Sequence, residues 1–113
     1  MEKIIAYTDG SAVASGKLKG HGGFGTYFPN LLGKKMAFSL GFEETKTGRM
    51  EIIALLYALR AIPENLECEL EVYSDSQYVV KTFTEKRLQK WMKNKWQSYG
   101  NDIKNVDLWK KVL

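Results

Sequence analysis

The hydrophobic period of this chain changes at residue 49, and that change restricts the folds open to it. Upstream the apolar residues come in short β-type runs. Residues 3–8 read Lys-Ile-Ile-Ala-Tyr-Thr, β-branched and aromatic, and stop at Asp9 Gly10 Ser11. Residues 12–23 are rich in Gly, Ser and Lys and predict a loop, after which residues 24–28 and 35–42 predict two strands about a turn at Pro29 Asn30. From Arg49 the spacing becomes helical: Met50, Ile53, Ala54, Tyr57, Ala58 and Ala61 follow the i, i+3, i+4, i+7 rule until Pro63 stops the run. Residues 69–73 predict a fourth strand with Leu70 and Val72 on one side. Residues 77–83 predict a short helix and 86–99 a longer one; 100–104 read as a turn, followed by a last helix carrying Val106, Leu108, Trp109 and Val112. A meander, a helix, another strand and more helices predict an α/β chain, a mixed sheet packed by helices, as one domain over residues 1–113.

Three acids fall at predicted element boundaries beside apolar sequence: Asp9 after the first strand, Glu51 in the first turn of the apolar helix, Asp75 after the fourth strand. If the first and fourth strands are neighbours joined through the helix, the three carboxylates meet at one sheet edge. Such a cluster repels itself unless cations neutralise it, and oxygen ligands without Cys or His favour Mg²⁺ or Mn²⁺. A pair of such ions about 4 Å apart suits phosphodiester cleavage. Taken singly, each acid also suits a turn or a helix N-terminus.

Charge separates along the chain. Residues 1–80 hold 8 Lys and Arg against 10 acids, whereas residues 81–113 hold 9 against 3. A basic segment on a mildly acidic body is the footprint expected of a polyanion binder. No apolar stretch reaches the length of a membrane span or of a signal-peptide core, so the expected compartment is the cytoplasm. The one cysteine, Cys68, has no companion for a disulfide or a zinc site.

The strings Tyr7 Thr8 Asp9 Gly10 Ser11, Gly22 Gly23 Phe24 Gly25, Gly48 Arg49 Met50 Glu51 and Tyr73 Ser74 Asp75 Ser76 Gln77 Tyr78 Val79, followed by Lys90 Trp91, Trp96 and Asn105 Val106 Asp107 Leu108 Trp109, resemble in order and interval the motifs of type 1 ribonuclease H. The resemblance covers residues 3–113 and implies a ribonuclease H-like mixed sheet, three antiparallel strands plus a parallel one. It implies endonucleolytic hydrolysis of the RNA strand of RNA/DNA hybrids, leaving a 5′ phosphate and a 3′ hydroxyl. Asp9, Glu51 and Asp75 would be catalytic and metal-ligating, with Asp9 bridging two Mg²⁺ ions and Mn²⁺ able to substitute. Ser11, Thr47 and Gln77 become the residues expected to read the hybrid through backbone and 2′-hydroxyls. Asn105 becomes a phosphate contact. Residues 81–104 become a basic helical protrusion whose Lys90, Trp91 and Lys95 follow the DNA strand, the lysines by charge and the tryptophan by packing or by touching sugars.

The pattern also departs from the family's. Family members continue through a last strand, a loop with a catalytic His and a helix with a fourth Asp ligand, none of which the sequence carries. His21, in the early glycine-rich loop, is expected to be a surface residue, and Asp107 to cap the last helix. Lys46 Thr47 Gly48 stand where relatives often have Thr followed by amides, so Lys46 would replace a neutral phosphate contact by a charged one. A final helix without further elements is expected to expose Trp109 and Val112 and so to promote dimerisation or exchange of elements. The functions in competition are a hybrid-cleaving nuclease, a non-catalytic or incomplete hybrid- or duplex-binding module, and a DNA-directed enzyme of the same nuclease and integrase superfamily.

Overall fold

The computed structural model describes residues 2–98 and 101–112. The first strand, β1 (Glu2–Ala12), pairs antiparallel with β2 (Gly22–Leu31), and β2 pairs antiparallel with β3 (Lys34–Phe42). Helix α1 (Thr47–Ala61) then carries the chain across to β4 (Cys68–Ser74), which runs parallel to β1, giving a sheet of order β3-β2-β1-β4. Helices α2 (Gln77–Thr84) and α3 (Arg87–Lys93), a two-residue-per-strand hairpin of β5 (Gln97–Ser98) and β6 (Asn101–Asp102), and α4 (Val106–Val112) complete the described chain. The expected mixed sheet is therefore present. No helix among the described residues is long and apolar enough to cross a membrane.

Helix α1 is apolar on more than the predicted stripe because it is packed on two sides. Met50 and Ala54 meet Phe24, and Ala58 meets Ile4, Ala6 and Phe28 of the sheet. Ile52, Leu55 and Leu56 form a second cluster with Val79, Leu88, Leu108 and Trp109 of the later helices. The helix can sit this low on β1 because residue 10 is glycine: a Cβ there would lie 2.5 Å from the Met50 carbonyl carbon. A buried hydrogen bond from Thr26 Oγ1 to the Ala54 carbonyl, 2.6 Å, ties β2 to the same helix.

Several sequence expectations are corrected. β1 does not stop before Asp9 but continues to Ala12, because its ladder with β2 runs on through Ala12↔Gly22. The β2–β3 turn lies at Leu32 and Gly33, both at positive φ as a type I′ hairpin requires, and not at Pro29 Asn30. Pro29 falls where the β2–β3 register shifts, between Phe28 and Leu31, a position that tolerates a residue without an N–H. The predicted helix over residues 86–99 is only α3. Lys95 and Trp96 both take left-handed φ, and the Trp96 N–H closes on the Trp91 carbonyl at 2.6 Å, which folds the Trp96 ring back to 6.4 Å from Trp91. Tyr99, at the end of that predicted helix, and Gly100, at the start of the predicted turn, lie outside the described residues.

The largest correction concerns Trp109. It was expected at the surface and is instead wholly buried, 0% exposed, while Val112 is partly buried. Trp91 stands 5.9 Å and Phe83 6.2 Å from its ring, so α4 docks through Trp109, with Leu108 beside it, into the cluster that also receives α1. Burying a side chain of this size stabilises by about 3 kcal/mol. The exposed aromatic surface lies elsewhere, on the open face of the sheet, where Tyr7 pairs in register with Tyr27 and Tyr73 and stacks on Tyr73 at 5.3 Å.

Candidate active site

The parallel register Thr8↔Ser74 sets Asp9 and Asp75 one residue farther along adjoining strands, at the same end of the sheet. Both are exposed. Glu51 reaches this end from α1, whose backbone crosses β1 at Gly10; a Cβ on Gly10 would lie 2.6 Å from the Glu51 nitrogen. Glu51 lies in the second turn of α1, not the first, because the helix begins at Thr47. Its Oε2 accepts a 2.5 Å hydrogen bond from Ser76 Oγ.

The three acids share an end of the fold without closing around one point: no three His, Cys, Asp or Glu side chains among the described residues are close enough to hold a metal ion. Ile4, Ala6, Thr8 and Gly10 are buried toward α1, so Asp9 shares the opposite side with Tyr7 and Ser11. It lines a shallow cavity of about 520 Å³ with Ser11, Gly23, Gly25, Ser39 and Gly41. No ion pair among the described residues engages Asp9, Glu51 or Asp75. An all-carboxylate donor set left without a protein cation has the chemistry that a hard divalent ion matches.

A second cleft, about 1000 Å³, opens beside the start of α1 and is lined by Lys19, Lys46, Thr47, Gly48, Arg49, Tyr78, Lys104 and Asn105 among others. Along its wall runs a chain of hydrogen bonds joining three helices. Arg49 donates to both carboxylate oxygens of Asp107, at 3.1 and 2.9 Å, and to Asn105 Oδ1 at 3.1 Å. Asn105 Nδ2 and Trp109 Nε1 both donate to the Tyr78 hydroxyl, at 3.2 and 2.8 Å. The hydrogen bonds from the Arg49 guanidinium hold the Asp107 carboxyl below its ordinary range. Asp107 is thus first the Arg49 partner, and in the first turn of α4 its carboxyl also takes support from the backbone N–H groups of Asp107 and Leu108; the Asn105 carbonyl accepts from the Leu108 and Trp109 N–H groups.

The other residues singled out in the sequence divide by surroundings. Ser11, Lys46, Gln77, Lys90 and Lys95 are exposed. The Thr47 hydroxyl accepts from the Ala12 N–H at 2.9 Å and donates to the Ala12 carbonyl at 3.3 Å, so it fastens the end of β1 to the start of α1. Trp91 and Trp96 pack against the cluster around Trp109, and Lys110 lies 5.5 Å over the Trp96 ring. His21 is an exposed loop residue, as expected. Sequence reasoning missed Ser76, Arg49 and Tyr78. Of these only Ser76 carried a local signal, a Ser immediately before an apolar helical run.

The fold belongs to a known class. It is similar to that of LC9-RNase H1, a type 1 RNase H with the type 2 active-site motif, at a TM-score of 0.74 and 21% identity, covering 98% of this chain and 56% of that one. It is equally similar, at a TM-score of 0.74 and 21% identity over 96% of this chain and 15% of the other, to the foamy viral protease-reverse transcriptase in complex with RNA/DNA hybrid. These likenesses make the fold ribonuclease H-like. The whole of residues 1–113 matches the RNase H family profile, and the ribonuclease H of Lachnoclostridium phytofermentans is 40% identical over 98% of this chain and 71% of its own length. The chain belongs to the ribonuclease H family, whose enzymes are endonucleases acting on the RNA of RNA/DNA hybrids with divalent metal ions.

Proposed function

We propose that this chain hydrolyses the RNA strand of RNA/DNA hybrids with two bound Mg²⁺ ions, Mn²⁺ substituting, held by Asp9, Glu51 and Asp75. The observation that supports this reading most is the arrival of three carboxylates, none paired with a protein cation among the described residues, at one end of β1, β4 and α1. When bound, the ions would supply an activated water and neutralise charge on the scissile phosphate and the leaving oxygen. The protein's own part is to hold those ligands and to orient the duplex. In this reading Asp9, Glu51 and Asp75 would hold the ions, with Glu51 aimed by its hydrogen bond from Ser76. The RNA strand then crosses Ser11 and Gln77 near the carboxylates. Lys46 and Asn105 in the larger cleft take a backbone phosphate, with Asn105 held in orientation by Arg49 and Tyr78. Thr47 supports that wall from behind through Ala12. Lys90 and Lys95 attract the DNA strand, while Trp91 stiffens their segment by packing.

The test is cleavage of the labelled RNA strand of a hybrid with Mg²⁺ or Mn²⁺, comparing wild type with Asp9→Asn and Asp75→Asn. We expect each substitution to lower the rate by at least about 100-fold, since several kcal/mol of charge stabilisation depends on the ions. The open spacing of the three acids favours the competing reading, a hybrid-binding module without catalysis. Tight hybrid binding by wild type with no cut strand would establish that reading instead.

A further inference from the structure

Ser76 is a small, buried hydroxyl, 6% exposed, whose two hydrogen bonds point in different functional directions. It sits at the N-cap of α2 and accepts from the Val79 N–H at 3.2 Å. It also lies 2.5 Å from Glu51 Oε2, across from a helix twenty-five residues earlier in the chain. An ionised carboxylate only accepts, so the hydroxyl proton goes to Glu51 and the cap bond uses a serine lone pair. The two bonds therefore use different parts of one group and hold together. The Ser76 N–H is in turn held by Ser74 Oγ at 3.1 Å, so the hydroxyl is carried on a backbone fixed at the end of β4, directly beside Asp75.

We propose that Ser76 is a positioning residue for the metal site: its hydroxyl, locked by the α2 cap, fixes the rotamer of Glu51 and joins the acid on α1 to the acid at the end of β4. This rests on the reading of Glu51 as a metal ligand. Groups that orient a metal ligand commonly change metal affinity or activity by about 10- to 100-fold when removed. A cap alone does not do this, and the two roles separate by substitution. Gly is a tolerated N-cap residue but has no hydroxyl, whereas Thr keeps both the acceptor and the donor.

The experiment titrates Mg²⁺ into the substrate-free chain, following backbone amide shifts around positions 9, 51 and 75, and measures hybrid cleavage and Tm alongside, for wild type, Ser76→Gly and Ser76→Thr. We expect Ser76→Gly to weaken Mg²⁺ binding by about 10-fold or more while remaining folded, and Ser76→Thr to restore it. Wild-type Mg²⁺ affinity in Ser76→Gly overturns the proposal, as does a loss in Ser76→Thr equal to that in Ser76→Gly. A wild-type chain that binds Mg²⁺ but leaves the hybrid uncut overturns the nuclease reading alone, and the affinity difference between the variants then still supports the positioning role. A wild-type chain that binds no Mg²⁺ overturns both.

Discussion

Arg49 holds both oxygens of Asp107 and the amide oxygen of Asn105 at once, which settles the way the Asn105 amide faces. With Oδ1 on the guanidinium, Nδ2 is directed to the Tyr78 hydroxyl, which has a second donor in Trp109. The pair at the head of this chain has a defined pH response. The Asp107 carboxyl is held below its ordinary value of 3.8, first by the hydrogen bonds from Arg49, with its own desolvation opposing. A depressed carboxylate contributes stability that is present above the unfolded value and is lost as pH falls through the folded one. Asp107 is more than half exposed, so solvent screening limits the contribution to about 0.5 kcal/mol. We expect Asp107→Asn to lower Tm slightly at neutral pH, and the two melting curves to converge as pH drops below 3.8. Thermal melts between neutral pH and strong acid check this; a gap that widens in acid would contradict it.

At the scale of elements, α1 is the piece on which the others depend. It touches the sheet through Met50, Ala54 and Ala58 and the later helices through Ile52, Leu55 and Leu56, and it carries Glu51 between those two contacts. Its distance from β1 is set at Gly10, beside the proposed ligand Asp9. Gly10→Ala puts a methyl 2.5 Å from a backbone carbon of Met50, and backbone cannot yield as a flexible side chain would. We expect that substitution to destabilise the chain by about 3 kcal/mol, the upper range for overpacking, measured by urea denaturation. Lifting α1 from β1 also moves Glu51 away from the sheet end, so hybrid cleavage by the folded fraction should fall with it.

For the whole molecule the governing feature is separation of charge. Asp9, Glu51 and Asp75 lie toward one end of the sheet without an ion-pair partner among the described residues, and the excess of Lys and Arg follows residue 80. Lys90 and Lys95 are exposed on a segment whose tryptophans are partly buried against the Trp109 cluster, so charge is the main feature the segment offers a polyanion. If they contact DNA-strand phosphates, each Lys→Ala substitution reduces the slope of log affinity against log salt by about one. Hybrid binding measured over a salt series checks this. An unchanged slope in the double variant would remove the segment from the interface.

Much of this protein can be read from residue order. Strand and helix periods gave the element sequence, because alternation and a 3.6-residue repeat are local consequences of backbone geometry. The ordered strings around Asp9, Glu51 and Asp75 were enough to suggest the family. Element ends were less legible: β1 runs past Asp9 because β2 offers it a partner through Gly22, which no local signal in residues 9–12 reveals. The same holds for the second buried side of α1 and the early end of α3, both decided by a tryptophan cluster assembled from distant residues. Trp109 shows the difference most plainly. In a final helix read without further elements it looks exposed until α1, α2 and α3 are set around it, and then it is the largest wholly buried side chain among the described residues. Ser76 looks like a helix cap, and only the approach of α1 to β4 makes it a partner of Glu51. Composition and periodicity depend on neighbours along the chain, whereas burial and hydrogen-bond partners depend on neighbours in space, and folding alone supplies those.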